Sequence, residues 1–242
     1  MNSREPIFNV PGAVLVLIGT MIAVHAGRQY LSAEDGYRFL VAMAFIPARY
    51  TGFAHDIPGG GIATVTSFIT HMFIHADSVH LAVNSAWLLA FGSVLCRRMG
   101  ALRFLAFSMC GGIAGAVAFL VLNPGLSVPV IGASGAVSAM MGGVMRFLLS
   151  AIDRGEGHLL SQNPAAIPAM SLKACLTDRR IVLSSIVFVA INLLTIAGVG
   201  QLGTVGSIAW EAHLGGYFFG LFAFALLDTA MQKTSSYKGE ID

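Results

Sequence analysis

What this sequence has little of is charge. Asp, Glu, Lys and Arg make up 11% of its 242 residues, where a soluble domain carries about 25%, so a water-facing globular surface cannot be built from it. The net charge of +2 and the lack of any dense basic run exclude a nucleic-acid partner. Cysteine is equally scarce. Cys96, Cys110 and Cys175 are too few and too far apart for a disulfide framework, and they form no CxxC pair. A zinc-protease motif is missing too: His71 and His75 have a suitable spacing, but Met72 stands where His-Glu-x-x-His needs its glutamate. No metal or cofactor is therefore expected. Gly132-Ala-Ser-Gly-Ala136 falls short of the Gly-x-Ser-x-Gly elbow, because Ala136 replaces the second glycine. The first apolar run lacks a clear small-residue cleavage site and reads as a retained span. With no internal repeat or low-complexity tract, residues 1–242 read as a single membrane domain.

What is there is apolar. Hydrophobic residues reach 56% and the mean hydropathy is +0.77, which describes an all-α polytopic membrane protein. Six runs approach the roughly 20 residues needed to cross a bilayer, at about 8–26, 78–96, 103–122, 133–151, 181–199 and 208–228. The apolar stretch 39–47 is too short to span and ends at Pro47, which places it in the membrane interface within a long connection between spans 1 and 2. With the N-terminus inside, eleven of the fourteen Lys and Arg residues fall on cytoplasmic segments, and only Arg28, Arg38 and Arg49 lie in the first external loop. Both termini are thus expected to be cytoplasmic. The mixed 152–180 stretch reads as an irregular inner connection, and the tail after Asp228 as frayed.

Polar groups inside a membrane are expensive, so each one raises a functional hypothesis. Helical rise gives their height above the inner charges. Ser134 lies twelve residues before Arg146, roughly 18 Å up. Asn84 and His80 lie thirteen and seventeen before Arg97, roughly 20 and 26 Å up. His213 lies fifteen before Asp228, roughly 22 Å up. These groups, on spans 2, 4 and 6, share one layer on the outer side of the midplane. A lone helix serine is more often bonded back to its own backbone, and His80 with Asn84, one turn apart, is compatible with simple interhelical hydrogen bonding. Their convergence also permits a nucleophile, a base and oxyanion donors. Small residues recur every fourth position at Gly135, Ala139 and Gly143, and at Gly216 and Gly220. Such faces would seat span 4 on span 6 and bring His213 toward Ser134; Gly111 and Gly115 on span 3 read as structural. Trp87 and Trp210 read as packing or interface aromatics, and Glu211 carries no assigned chemistry.

Four features together resemble the rhomboid intramembrane serine proteases from about residue 8 to 228: His80-x-x-x-Asn84, Gly132-Ala-Ser134-Gly135, Ala212-His213-x-x-Gly216, and six spans with a long first external loop. The resemblance implies a six-helix rhomboid-like bundle and a Ser–His dyad without a carboxylate. Ser134 would be nucleophile and His213 general base, with an oxyanion hole made by His80, Asn84 and the Ser134 backbone N–H. The chain departs from the family at three places. Ser138 and Cys96 occupy positions where a tyrosine and a glutamate are common, and no Trp-Arg pair occurs in the first external loop, Tyr37-Arg38 being the nearest. By the same resemblance the substrates are transmembrane proteins in the lipid bilayer, cut near the outer end of a helix and admitted sideways past span 5 and the loop 200–207. The competing class is a proteolytically silent rhomboid-like protein that binds membrane clients. A transporter lacks support, for no paired halves or charged pathway exist. The small size and absence of a transit peptide point to a bacterial inner membrane.

Overall fold

The computed structural model describes residues 10–52, 56–194 and 209–228, and within them it is helical, with no strand beyond one isolated bridge. The helices are α1 (Gly12–Arg28), α2 (Ala33–Met43), α3 (Gly60–Thr70), α4 (Ser78–Trp87), α5 (Ser93–Met99), α6 (Ala101–Leu122), α7 (Ser134–Asp153), α8 (Leu159–Gln162), α9 (Leu172–Thr177), α10 (Arg179–Leu194) and α11 (Trp210–Leu227). A π-helical turn, Leu88–Gly92, joins α4 to α5 in one 22-residue rod. Over the described residues, each of the six expected runs thus contains a helix. Four are long and apolar enough to cross a membrane: Ser78–Met99, Ala101–Leu122, Ser134–Asp153 and Trp210–Leu227. α1 is a shorter apolar helix of 17 residues, and α10 is described over 16. Loop 200–207 and the tail after Asp228 lie outside the described residues.

The most enclosed helix is α7, because its small residues let α6 and α11 close on it. A Cβ at Gly216 would collide with the Gly135 carbonyl, and one at Gly220 with that of Ala139. The two small-residue faces therefore mesh backbone to backbone, as their four-residue spacing predicts. Gly111 meets Ala139, and Gly115 meets the Ala212 carbonyl, which brings α6 into the same seam. Phe104, Phe107, Phe147 and Phe224 fill the space on the inner side of this seam.

The end of the bundle opposite Ser134 is tied by buried arginines. Arg98 pairs with Asp228 through two hydrogen bonds of 3.1 and 2.9 Å and donates to the Pro164 and Ile167 carbonyls. Arg146, only 1% exposed, donates to the Met170 and Leu221 carbonyls. The 152–180 connection is consequently more ordered than its composition suggested: it contains α8, α9 and a 3-10 turn, and the arginines take up its backbone acceptors. At the surface, Arg180 joins the base of α10 to Asp153 at the end of α7 and to Asp178. Its guanidinium holds the Asp178 carboxyl below the usual range.

The connection between α1 and α4 is folded back on the bundle. Residues 39–47 do not form one continuous apolar segment. They end α2, then pass through an extended stretch, Ala44–Ile46, into the turn Pro47–Tyr50, and from Ala44 to Ala48 they are buried. The physical reason is a backbone partner: Phe45 and Val130 exchange both amide hydrogen bonds, at 3.0 and 2.8 Å. Arg49, itself buried, donates to the carbonyls of Val41, Ile57 and Pro58 and so anchors the loop.

Candidate active site

The site begins at a glycine. Gly132 has φ +106°, a conformation that costs a side-chain-bearing residue about 1–2 kcal/mol. Its N–H donates to the His71 carbonyl at 2.8 Å, which fixes the chain just before α7 to the first external loop. A Cβ on Gly132 would lie 2.6 Å from His80 Nε2 and 3.8 Å from Asn84 Nδ2, so both side chains crowd this backbone because it has none of its own. Helix α7 starts at Ser134, and its first hydrogen bond runs from Val137 N–H to the Ala133 carbonyl. The amides of Ser134, Gly135 and Ala136 are therefore outside the helical ladder and point toward the outer end.

His213 comes from the first turn of α11. Its Nε2 lies 2.7 Å from Ser134 Oγ across a sequence separation of 79 residues. The glycine seam explains this approach, since Gly135 and Gly216 touch one turn or less from the two side chains. The other ring nitrogen, Nδ1, lies 2.7 Å from Asn192 Oδ1 on α10. Asn192 did not feature in the sequence reading, although two signals mark it. It is an amide in an apolar run thirteen residues above Arg179, roughly 20 Å up and level with Ser134. It also continues the line Ile181, Ser185 and Phe188 on one helix face. Ser138, where an aromatic ring is common in the family, lies buried one turn along α7.

His80 and Asn84 stand on α4, which is capped by Asp77 accepting from the His80 N–H at 2.8 Å. Asn84 Nδ2 donates to the His80 carbonyl at 2.9 Å, which turns its amide along the helix face toward Gly132. His75 packs edge-on against the His80 ring, with centroids 5.0 Å apart. His71 and His75 do not share one helix: His71 begins a 3-10 turn, the chain is extended at Ile74, and His71 Nδ1 bonds the Ser67 carbonyl. Their spacing is thus not that of two ligands on one face. Glu211 is buried and accepts from Asn123 Nδ2 at 2.9 Å, joining the end of α6 to the start of α11. Trp87 stacks on Phe91 and is half exposed.

A bundle of apolar helices closed on a glycine seam, with a serine and a histidine in hydrogen-bond contact at one end, defines an all-α membrane protein with a built polar site. The rhomboid domain family model matches residues 63–229, well over half of the chain. The chain belongs to the rhomboid family. The rhomboid protease GluP of Bacillus subtilis (strain 168) is 31% identical over 159 residues, 66% of this chain and 25% of that protein. The chain thus matches about a quarter of the length of this relative.

Proposed function

We propose that this protein is an intramembrane serine endopeptidase that cuts transmembrane helices of other membrane proteins near their outer ends. The 2.7 Å contact between His213 Nε2 and Ser134 Oγ carries the reading, and the resemblance to a rhomboid protease supports it. Ser134 Oγ attacks the scissile carbonyl carbon as its proton passes to His213 Nε2. The carbonyl oxygen becomes an oxyanion beside Gly132, where the Ser134 N–H, His80 and the second N–H of the Asn84 amide donate to it. The positive end of the α7 dipole adds to this stabilisation, and losing one such donor costs about 3–4 kcal/mol in the transition state. Collapse expels the amine, which takes the proton from the imidazolium. Water then attacks the acyl ester with His213 again as base, releasing the acid and restoring Ser134.

A helical peptide bond is shielded by its own hydrogen bonding, so the substrate must unwind at the cut. Small or helix-breaking residues there favour the reaction. Helix α10 is the path for sideways admission: of its described residues only Ile181 and Asn192 are buried, while Val182, Leu183, Ile186, Val187 and Ile191 face outward. Both termini are assigned to the cytoplasmic side of a bacterial inner membrane, on the basis of the distribution of basic residues.

The test is Ser134→Ala in purified, folded protein with a single-span reporter. Wild type should cleave the reporter and react with a fluorophosphonate, and the variant should do neither. Full cleavage by Ser134→Ala refutes the assignment. Reporter binding without product in wild type would instead point to a client-binding relative.

A further inference from the structure

The catalytic reading leaves the orientation of His213 unexplained, because neither an aromatic ring nor a carboxylate lies against it from α7. We infer that Asn192 is the positioning residue for His213, fixing the tautomer in which its ring can act as a base. This rests on the reading of Ser134 and His213 as the hydrolytic pair.

The orientation of the Asn192 amide follows from its two neighbours. Its nitrogen donates to the Phe188 carbonyl at 2.9 Å, so a flipped amide would set oxygen against oxygen. Oδ1 is therefore the atom 2.7 Å from His213 Nδ1. An amide oxygen can only accept, which places the imidazole proton on Nδ1. Nε2 is then an unprotonated acceptor facing the Ser134 hydroxyl, the tautomer a general base requires. The imidazolium formed during attack keeps its Nδ1–H on the same oxygen, so the ring is held through both proton transfers.

The remaining contacts of α10 hold Asn192 in place. The helix meets α11 along one line of side chains. Ser185 Oγ lies 2.7 Å from Tyr217 Oη, the Phe188 ring stacks on Tyr217 with centroids 4.7 Å apart, and Asn192 meets His213. At its base α10 is held by Arg180 to Asp153.

The experiment compares Asn192→Ala and Asn192→Asp with wild type and Ser134→Ala, measuring reporter kcat and KM, the rate of fluorophosphonate labelling, and the pH–rate profile. Loss of the acceptor should lower kcat and the labelling rate together by roughly 5- to 100-fold, the effect of leaving a buried N–H unpaired, with little change in KM. Asn192→Asp keeps the acceptor and should recover most of the rate. Its negative charge stabilises the imidazolium, so the acid limb of its profile should move to higher pH. If Asn192→Ala does not fold, the Asn192→Asp profile decides alone. An Asn192→Ala enzyme with wild-type kcat and labelling, or an Asn192→Asp profile superimposed on wild type, overturns the inference. With Ser134→Ala inactive, either of those results removes only the role of Asn192; an active Ser134→Ala removes the dyad and this inference together.

Discussion

Gly132→Ala separates backbone strain from damage to the site. The residue has φ +106°, and the new methyl would sit 2.6 Å from His80 Nε2 and 2.7 Å from Cε1. The conformation alone costs about 1–2 kcal/mol, which for a chain of this size lowers the melting temperature by about 2–8 °C. The clash adds a second effect. A relaxed carbon contact is about 3.5–4 Å, so either the His80 ring or the chain entering Ser134 must move by close to 1 Å. A shift of that size at a reacting centre costs on the order of 10²-fold in rate. Gly125→Ala supplies the control: Gly125 also has positive φ, at +77°, but its Cβ would meet only Thr51, at 3.7 Å. Both variants should lose similar thermal stability in detergent. Only Gly132→Ala should lose kcat and fluorophosphonate labelling by about two orders of magnitude. Wild-type kcat in Gly132→Ala, with the same loss of stability as Gly125→Ala, would refute the placement of His80 beside the reacting carbonyl.

Three other perturbations test the frame. Asp228→Ala leaves the Arg98 guanidinium buried without its carboxylate and should destabilise the protein by about 3–5 kcal/mol, read as a fall in melting temperature. The double variant Arg98→Met with Asp228→Leu should recover most of that loss, and no recovery would deny the pairing. Gly220→Leu drives a side chain into the Ala139 carbonyl and should abolish folding or activity, whereas Gly19→Leu, on open helix surface, should leave both unchanged; equal tolerance at the two positions would contradict the seam. Arg49→Leu removes the donor to three loop carbonyls, and limited proteolysis should then cut the first external loop well before the bundle unfolds.

The spans were legible because a membrane demands long apolar runs with backbone bonds satisfied internally, and the six runs are spaced apart by charge. Ser134 and His213 were legible by depth, and the four-residue spacing of Gly135, Ala139, Gly216 and Gly220 gave the reason for their approach. Asn192 was less legible although the same depth arithmetic reaches it, because a single amide in an apolar run acquires its role only from His213, 21 residues away on the next helix. The loop elements were less accessible. Arg49 and Arg146 read as surface or boundary charges, yet both are buried against carbonyls, those of Arg49 eight or nine residues away and those of Arg146 at Met170 and Leu221, and no local pattern announces an acceptor that folding brings into place. The extended stretch at Phe45 likewise owes its shape to Val130, 85 residues later.

The ion pair between Arg98 and Asp228 spans 130 residues of chain, with consequences for how the protein is made. The guanidinium is synthesised early, at the inner end of the second span, and its carboxylate arrives only with the close of the sixth. Until then the guanidinium has only the Phe147 ring and the carbonyls of Pro164 and Ile167 beside it. A chain cut before Asp228 would bury Arg98 without its carboxylate, a defect of about 3–5 kcal/mol, so trimming from that side should be tolerated only as far as Asp228.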